Sequence, residues 1–181
     1  MKILVLGSGA REHAIIIALL AEEAGHEVIA APGNAGIARV ATLVALDPND
    51  PVAVTNFANE AGINLVVIGP EAPLVAGVAD ELREHGIPVF GPGRAAAQLE
   101  GSKAFAKRIM DAAAVPTGRA MRAATLVEVE AALDELGAPH VVKADGLAGG
   151  PGVAATDDRR AGLDPAEACP GRTAGAVLSE P

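Results

Sequence analysis

Glycine-rich turns flanked by ionisable side chains recur along this 181-residue chain, and they are the places where a ligand could be held. The first is Gly7-Ser8-Gly9-Ala10-Arg11-Glu12-His13, which follows the apolar run Ile3-Leu4-Val5-Leu6. Two glycines let the backbone turn sharply and approach a ligand, and a helix opening behind them presents unpaired N–H groups and a partial positive charge. A phosphate or carboxylate is the natural guest. The same residues also fit an ordinary polar first turn, with Arg11, Glu12 and His13 facing water. A dinucleotide fingerprint would require a small residue where Glu12 stands, and an acid where Ala31-Pro32 ends the second strand. NAD is therefore disfavoured.

Two further loops, Pro32-Gly33-Asn34-Ala35-Gly36 and Gly69-Pro70-Glu71-Ala72-Pro73, also follow apolar runs. In a parallel sheet all such loops emerge at the carboxyl edge, where ligands bind. Glu71, between two prolines, could offer its carboxylate to an amine or hydroxyl; the alternative is a solvated loop acid. The third constellation pairs Glu100-Gly101-Ser102-Lys103 with Lys143, Asp145, Gly146 and the glycine loop Gly149-Gly150-Pro151-Gly152. Lys143 follows Val141-Val142, and an ammonium in an apolar strand calls for an anionic partner such as a nucleotide phosphate. The alternative is a lysine that snorkels from an edge strand.

The elements that must position these residues alternate from the start. Lys2–Leu6, His26–Ala31, the weaker Leu43–Leu46, Asn64–Ile68 and Ile87–Phe90 read as strands. Arg11–Ala24, a segment opened by Asp50-Pro51 and closed by Gly62, and Leu74–His85 read as helices. Short apolar strands alternating with helices predict an α/β fold, a parallel sheet covered on both faces. Consecutive helices at Ala95–Leu99 and Lys103–Ala114 put a domain boundary near residues 92–102. Thr125 and Glu128 form a capping box for a helix over Leu126–Leu136, which Gly137 ends, and Pro139–Ala144 reads as a strand. The predicted organisation is residues 1–100, then 101–156, then a poorly packed or disordered tail over 157–181.

Composition narrows the function classes. Half the residues are hydrophobic, which excludes disorder as the overall state, and 14 basic against 23 acidic residues argue against duplex nucleic acid as a partner. Trp and Tyr are absent, so no aromatic platform exists for stacking single strands. The longest apolar run, Ala14–Ala21, is too short to span a bilayer, and a soluble cytoplasmic protein is expected. Cys169 is the sole cysteine, which rules out an intrachain disulfide and a four-thiolate metal site; no metal ligands are assigned.

The strings K-I-L-V-L-G-S-G-A-R-E-H-A, A-P-G-N-A-G, V-V-I-G-P-E-A-P-L-V-A-G-V-A-D, A-A-A-Q-L-E-G-S-K-A-F-A-K and V-V-K-A-D-G-L-A-G-G closely resemble the phosphoribosylamine–glycine ligase family, from Met1 to about Thr156. The resemblance implies a Rossmann-like domain followed by an ATP-grasp module. It also implies ATP-dependent joining of glycine to 5-phosphoribosylamine in purine biosynthesis, with magnesium serving the phosphates. Gly7, Gly9, Arg11, Glu12, His13, Gly33, Asn34, Gly36, Gly69, Pro70 and Glu71 match the family's phosphoribosylamine side. Lys103, Lys143 and the loop of Asp145, Gly146, Gly149, Gly150 and Gly152 match its ATP side. Where the family's loop has G-K-G-V, this chain has Gly150-Pro151-Gly152-Val153, so proline replaces a cationic donor. The family continues past the point matched by Pro181 into its magnesium-binding acidic strand, and an incomplete, catalytically incompetent form is the resulting expectation. Alternatives are a non-catalytic sugar-phosphate-binding module and an NAD-dependent oxidoreductase. An unfinished second domain would leave apolar surface around Leu126, Val129, Leu133 and Val141 open to association.

Overall fold

A computed structural model describes residues 1–22, 24–143, 153–157 and 177–179. The chain divides into two compact units, Met1–Ala97 and Gln98–Pro181. In the first, β1 (Lys2–Gly7), β2 (Glu27–Pro32), β3 (Thr42–Leu43), β4 (Leu65–Ile68) and β5 (Val89–Phe90) form one sheet in the order β3-β2-β1-β4-β5. Every neighbouring pair is parallel. Side chains alternate across β1, so Leu4 and Leu6 join one core with Ile29, Val66 and Ile68, while Ile3 and Val5 join the other with Val28 and Val67. Helices α2 (Pro51–Glu60) and α4 (Val78–Glu84) cover the first core through Val54, Ala58, Val78 and Leu82; α1 (Ala10–Ala21) covers the second through Ile16. That double burial is why β1 is a continuous apolar run.

Helix starts follow their caps. Asp50 accepts hydrogen bonds from the Val52 and Ala53 amides at 3.1 and 3.0 Å, and Pro51 occupies the first helical position of α2. The single helix expected over Leu74–His85 is instead two, α3 (Glu71–Ala76) and α4. They break at Gly77, which has φ +95°, and Arg94 closes the break by donating from its guanidinium to the Ala76 carbonyl. The φ calls for glycine, and a β-carbon at position 77 would lie 2.7 Å from the Arg94 Cζ and displace the guanidinium. The expected third strand over Leu43–Leu46 shrinks to Thr42–Leu43, both exposed, because β3 is an edge with only β2 to pair with.

The second unit contains α5 (Arg94–Gly101, which begins at the end of the first), α6 (Lys103–Ala112), β6 (Ala120–Met121), α7 (Leu126–Leu136), β7 (His140–Lys143), β8 (Val153–Thr156) and β9 (Val177–Ser179). The strands form an antiparallel sheet in the order β6-β9-β7-β8. Part of the segment expected to be an unpacked tail is thus a strand. Val177–Ser179 lies between β6 and β7, where its backbone groups complete two ladders that local sequence could not announce. The expectation of exposed apolar surface holds only at the start of α7, where Leu126 and its neighbour Val127 are exposed. Val129 and Leu133 are buried with Ala123, Ala132 and Val142, and Val141 is buried too; of the four residues named, Leu126 alone is exposed.

At α7 the Thr125 hydroxyl accepts the Glu128 amide at 3.3 Å, and the Glu128 carboxylate accepts the Ala124 and Thr125 amides at 2.6 and 3.1 Å. Hydrogen bonds from the Ala124 amide first, then the Thr125 amide, hold its carboxyl below the usual carboxylate value. A depressed folded-state pKa contributes stability above the unfolded value, and the contribution disappears as acid protonates the group. The stability gap between the wild type and Glu128→Gln is therefore expected to be widest near neutral pH and to close as pH falls below the carboxylate range, read from urea midpoints. Asp50→Ala, which strips the α2 cap, is expected to cost about 1 kcal/mol at neutral pH by the same measurement.

Candidate functional site

Strand order reverses at β1 and β4: the chain runs outward from β1 to β2 and β3, then returns to add β4 on the other side. The loops after β1 and β4 therefore leave in opposite directions and open a crevice at the carboxyl edge. Gly7 ends β1, and Gly9 is the N-cap residue of α1. Glu12, three positions into the helix, turns back so that its Oε2 accepts the Gly9 amide at 2.6 Å. Its side chain is buried, at 4% exposure, although it borders the crevice.

Three glycines make room for that carboxylate. A β-carbon at Gly7 would lie 2.7 Å from the Glu12 Cγ, one at Gly9 would lie 2.8 Å from Oε2, and one at Gly69 would lie 2.6 Å from Cδ. Glycine at Gly69, which carries no unusual φ, is thus a matter of space rather than backbone freedom. Asn34 ties the neighbouring loop in place. Its Nδ2 donates to the Ser8 carbonyl at 2.7 Å, and its Oδ1 accepts the Gly36 and Ile37 amides at 2.8 and 3.0 Å.

The resulting cleft has a volume of about 520 Å3 and lies wholly within the first unit. Of the residues singled out in the sequence, Gly7, Gly9, Arg11, Glu12, Pro70 and Glu71 line it. Gly33, Asn34, Gly36, His13 and Gly69 are not part of the lining. Gly33 donates its amide to the Gly7 carbonyl at 3.1 Å, and Gly69 donates to the Leu6 carbonyl at 3.2 Å. The His13 ring lies against Gly36, 3.0 Å from where a β-carbon would stand. Pro48 and Asn49, between β3 and α2, also line the cleft and went unnoticed in the sequence. The signal was present: Asp47-Pro48-Asn49-Asp50-Pro51 is one more loop from a strand to a helix, and it belongs on the same edge.

Arg11 is exposed at the rim, whereas Glu71 is half-buried at the start of α3. The cleft thus combines one guanidinium with two carboxylates and the polar edge of Asn49, suited to a small ligand rich in hydroxyl groups. In the second unit, Lys103 opens α6 immediately after its N-cap Ser102, and Lys143 ends β7, half-buried and paired in register with Val153. Since β7 lies between β8 and β9, Lys143 does not snorkel from an edge strand. Asp145, Gly146, Gly149, Gly150 and Gly152 lie outside the described residues. Among the described residues there is no group of three or more His, Cys, Asp or Glu able to hold a metal, and no helix long and apolar enough to cross a membrane.

Comparison with known proteins gives two family matches: "Phosphoribosylglycinamide synthetase, N domain" over residues 1–100 and "Phosphoribosylglycinamide synthetase, ATP-grasp (A) domain" over residues 101–171. A phosphoribosylamine–glycine ligase from Leifsonia xyli subsp. xyli is 72% identical over 181 residues, covering 99% of this chain and 43% of that protein. A crystal structure of the same enzyme from Thermotoga maritima superposes with a TM-score of 0.77 at 32% identity, covering 99% of this chain and 44% of that one. The biotin carboxylase domain of Hydrogenobacter thermophilus 2-oxoglutarate carboxylase, solved with MgADP, shares the fold at a TM-score of 0.75 and 22% identity, covering 99% of this chain and 44% of that one.

The glycine cradle generates a direct test. Gly69→Ala forces a methyl group into the Glu12 carboxylate and is expected to destabilise the first unit by about 1–3 kcal/mol, the usual range for overpacking. An unchanged urea midpoint would show that Glu12 is not held against Gly69.

Proposed function

The chain belongs to the phosphoribosylglycinamide synthetase family, and from that membership we propose that its first unit binds the sugar-phosphate substrate, 5-phosphoribosylamine. In the same reading, the second unit carries the opening part of the ATP side, within a cytoplasmic enzyme that joins this amine to glycine. The observation that carries the reading is the match over residues 1–100 coinciding with a polar cleft at the point of strand reversal. The chain spans about 43% of the length of the Leifsonia relative, so the complete reaction is proposed for the family enzyme and ligand binding for this chain.

In that reaction ATP phosphorylates the glycine carboxylate, releasing ADP. The amine then attacks the acyl phosphate, an amide bond forms, and inorganic phosphate leaves. Binding and orientation are what these residues would contribute. Arg11 at the rim is suited to a phosphate oxygen, Glu71 and Asn49 to hydroxyl groups, and the Asn34 tie keeps the β1 loop from shifting when the ligand arrives. Lys103 and Lys143 are suited to triphosphate oxygens.

A dinucleotide reading is less favoured. The place of the third small residue is held by Glu12, and β2 ends in Ala31-Pro32 with no acid for a ribose. Calorimetric titration of the 181-residue chain separates the two readings. Ribose 5-phosphate is expected to bind and NADH to give no heat; tight NADH binding without ribose 5-phosphate binding would overturn the proposal.

A further inference from the structure

A buried carboxylate at the head of a helix is unusual unless something requires it, because burying a charge is costly without hydrogen bonds. Glu12 has such a bond, to the Gly9 amide, and it lies where a glycine-rich loop otherwise receives a ligand's phosphate. The negative charge also answers the partial positive charge of the α1 N-terminus. Three glycines from two different loops, Gly7, Gly9 and Gly69, leave the space that this one side chain fills. A merely solvated acid would need no such cradle.

We propose that Glu12 is a positioning and specificity residue: its carboxylate is a built-in anion that occupies the phosphate seat of the β1 loop. The loop consequently repels diphosphate groups and faces a ligand's hydroxyl or ammonium groups, leaving a ligand's phosphate to be bound elsewhere in the cleft. This deepens the sugar-phosphate reading and rests on it, since it specifies which end of such a ligand the loop can face. It also gives a physical reason to expect no dinucleotide binding at this loop. With Glu12 replaced by alanine, the loop would read Gly7-Ser8-Gly9-Ala10-Arg11 followed by a small residue, a spacing compatible with pyrophosphate.

The test uses the full 181-residue chain with inorganic pyrophosphate as the probe. Wild type is expected to bind it too weakly to measure by calorimetry. Glu12→Ala, which frees the Gly9 amide and removes the charge, is expected to gain about tenfold or more in affinity, as removal of a like charge at contact distance should give. Glu12→Gln keeps the side chain's size and its acceptor for the Gly9 amide, so it carries the test should the alanine variant fold poorly. A smaller gain in the same direction is expected for it. In wild type, added pyrophosphate should leave the Gly9 amide resonance unmoved. No gain in either variant, or wild-type binding as tight as theirs, overturns the proposal. Ribose 5-phosphate titrated in parallel reports on the functional reading separately: its failure to bind wild type counts against that reading, while the pyrophosphate comparison stands or falls by itself.

Discussion

A parallel strand buried on both faces has no solvent side to absorb an error, and β1 sets this constraint for the whole first unit. Ile3, Leu4, Val5 and Leu6 are each at most 1% exposed and feed two separate cores. Its two neighbours, β2 and β4, are held in register along nearly its full length, which fixes where each must end. The loops that follow are therefore delivered to one edge at set heights. The cleft is a by-product of that delivery: it exists because strand order reverses at β1, and no side chain has to create it.

What side chains decide is the character of the cleft. The helix that follows β1 would ordinarily advertise a positive end, but Glu12 has claimed it from within the chain. Asn34 performs the corresponding task for the neighbouring loop by using its amide nitrogen and its carbonyl oxygen on different backbone partners. The two devices together hold the β1 loop from both sides. Arg11, Asn49 and Glu71 complete the polar lining, with Asn49 anchored by donating its side-chain amide to Asp47 Oδ1 at 3.3 Å.

Features written into a few consecutive residues were legible in the sequence. Asp50-Pro51 and the Thr125–Glu128 pair mark helix starts because a cap is satisfied within three or four positions, and the structure shows both. The parallel sheet was legible for the same reason, each strand being a short apolar run bounded by turn residues. Features made by distant residues were not. The break at Gly77 needs Arg94, the strand Val177–Ser179 needs the open edges of β6 and β7, and the cleft wall needs Pro48 and Asn49 from a loop whose preceding strand is only two residues long. Glu12 is the instructive case. Its position argued against a dinucleotide loop, yet its carboxylate packs against Gly69, from the loop after β4, and that could not be read locally.

The cradle has a historical side. Glycine at positions 9 and 69 is set against the carboxylate at position 12, so substitutions among these three are contingent on order, whereas Gly7 is also fixed by its φ of +126° and by Pro70 Cδ, 2.9 Å from where a β-carbon would stand. Loss of the carboxylate first leaves a space that a later methyl group at 69 could fill; the methyl group first meets an occupied site. A lineage could leave this arrangement through position 12 far more readily than through any of the glycines. A change at position 12 is thus the short route from this loop toward the dinucleotide loop it outwardly resembles, and changes at the glycines are not.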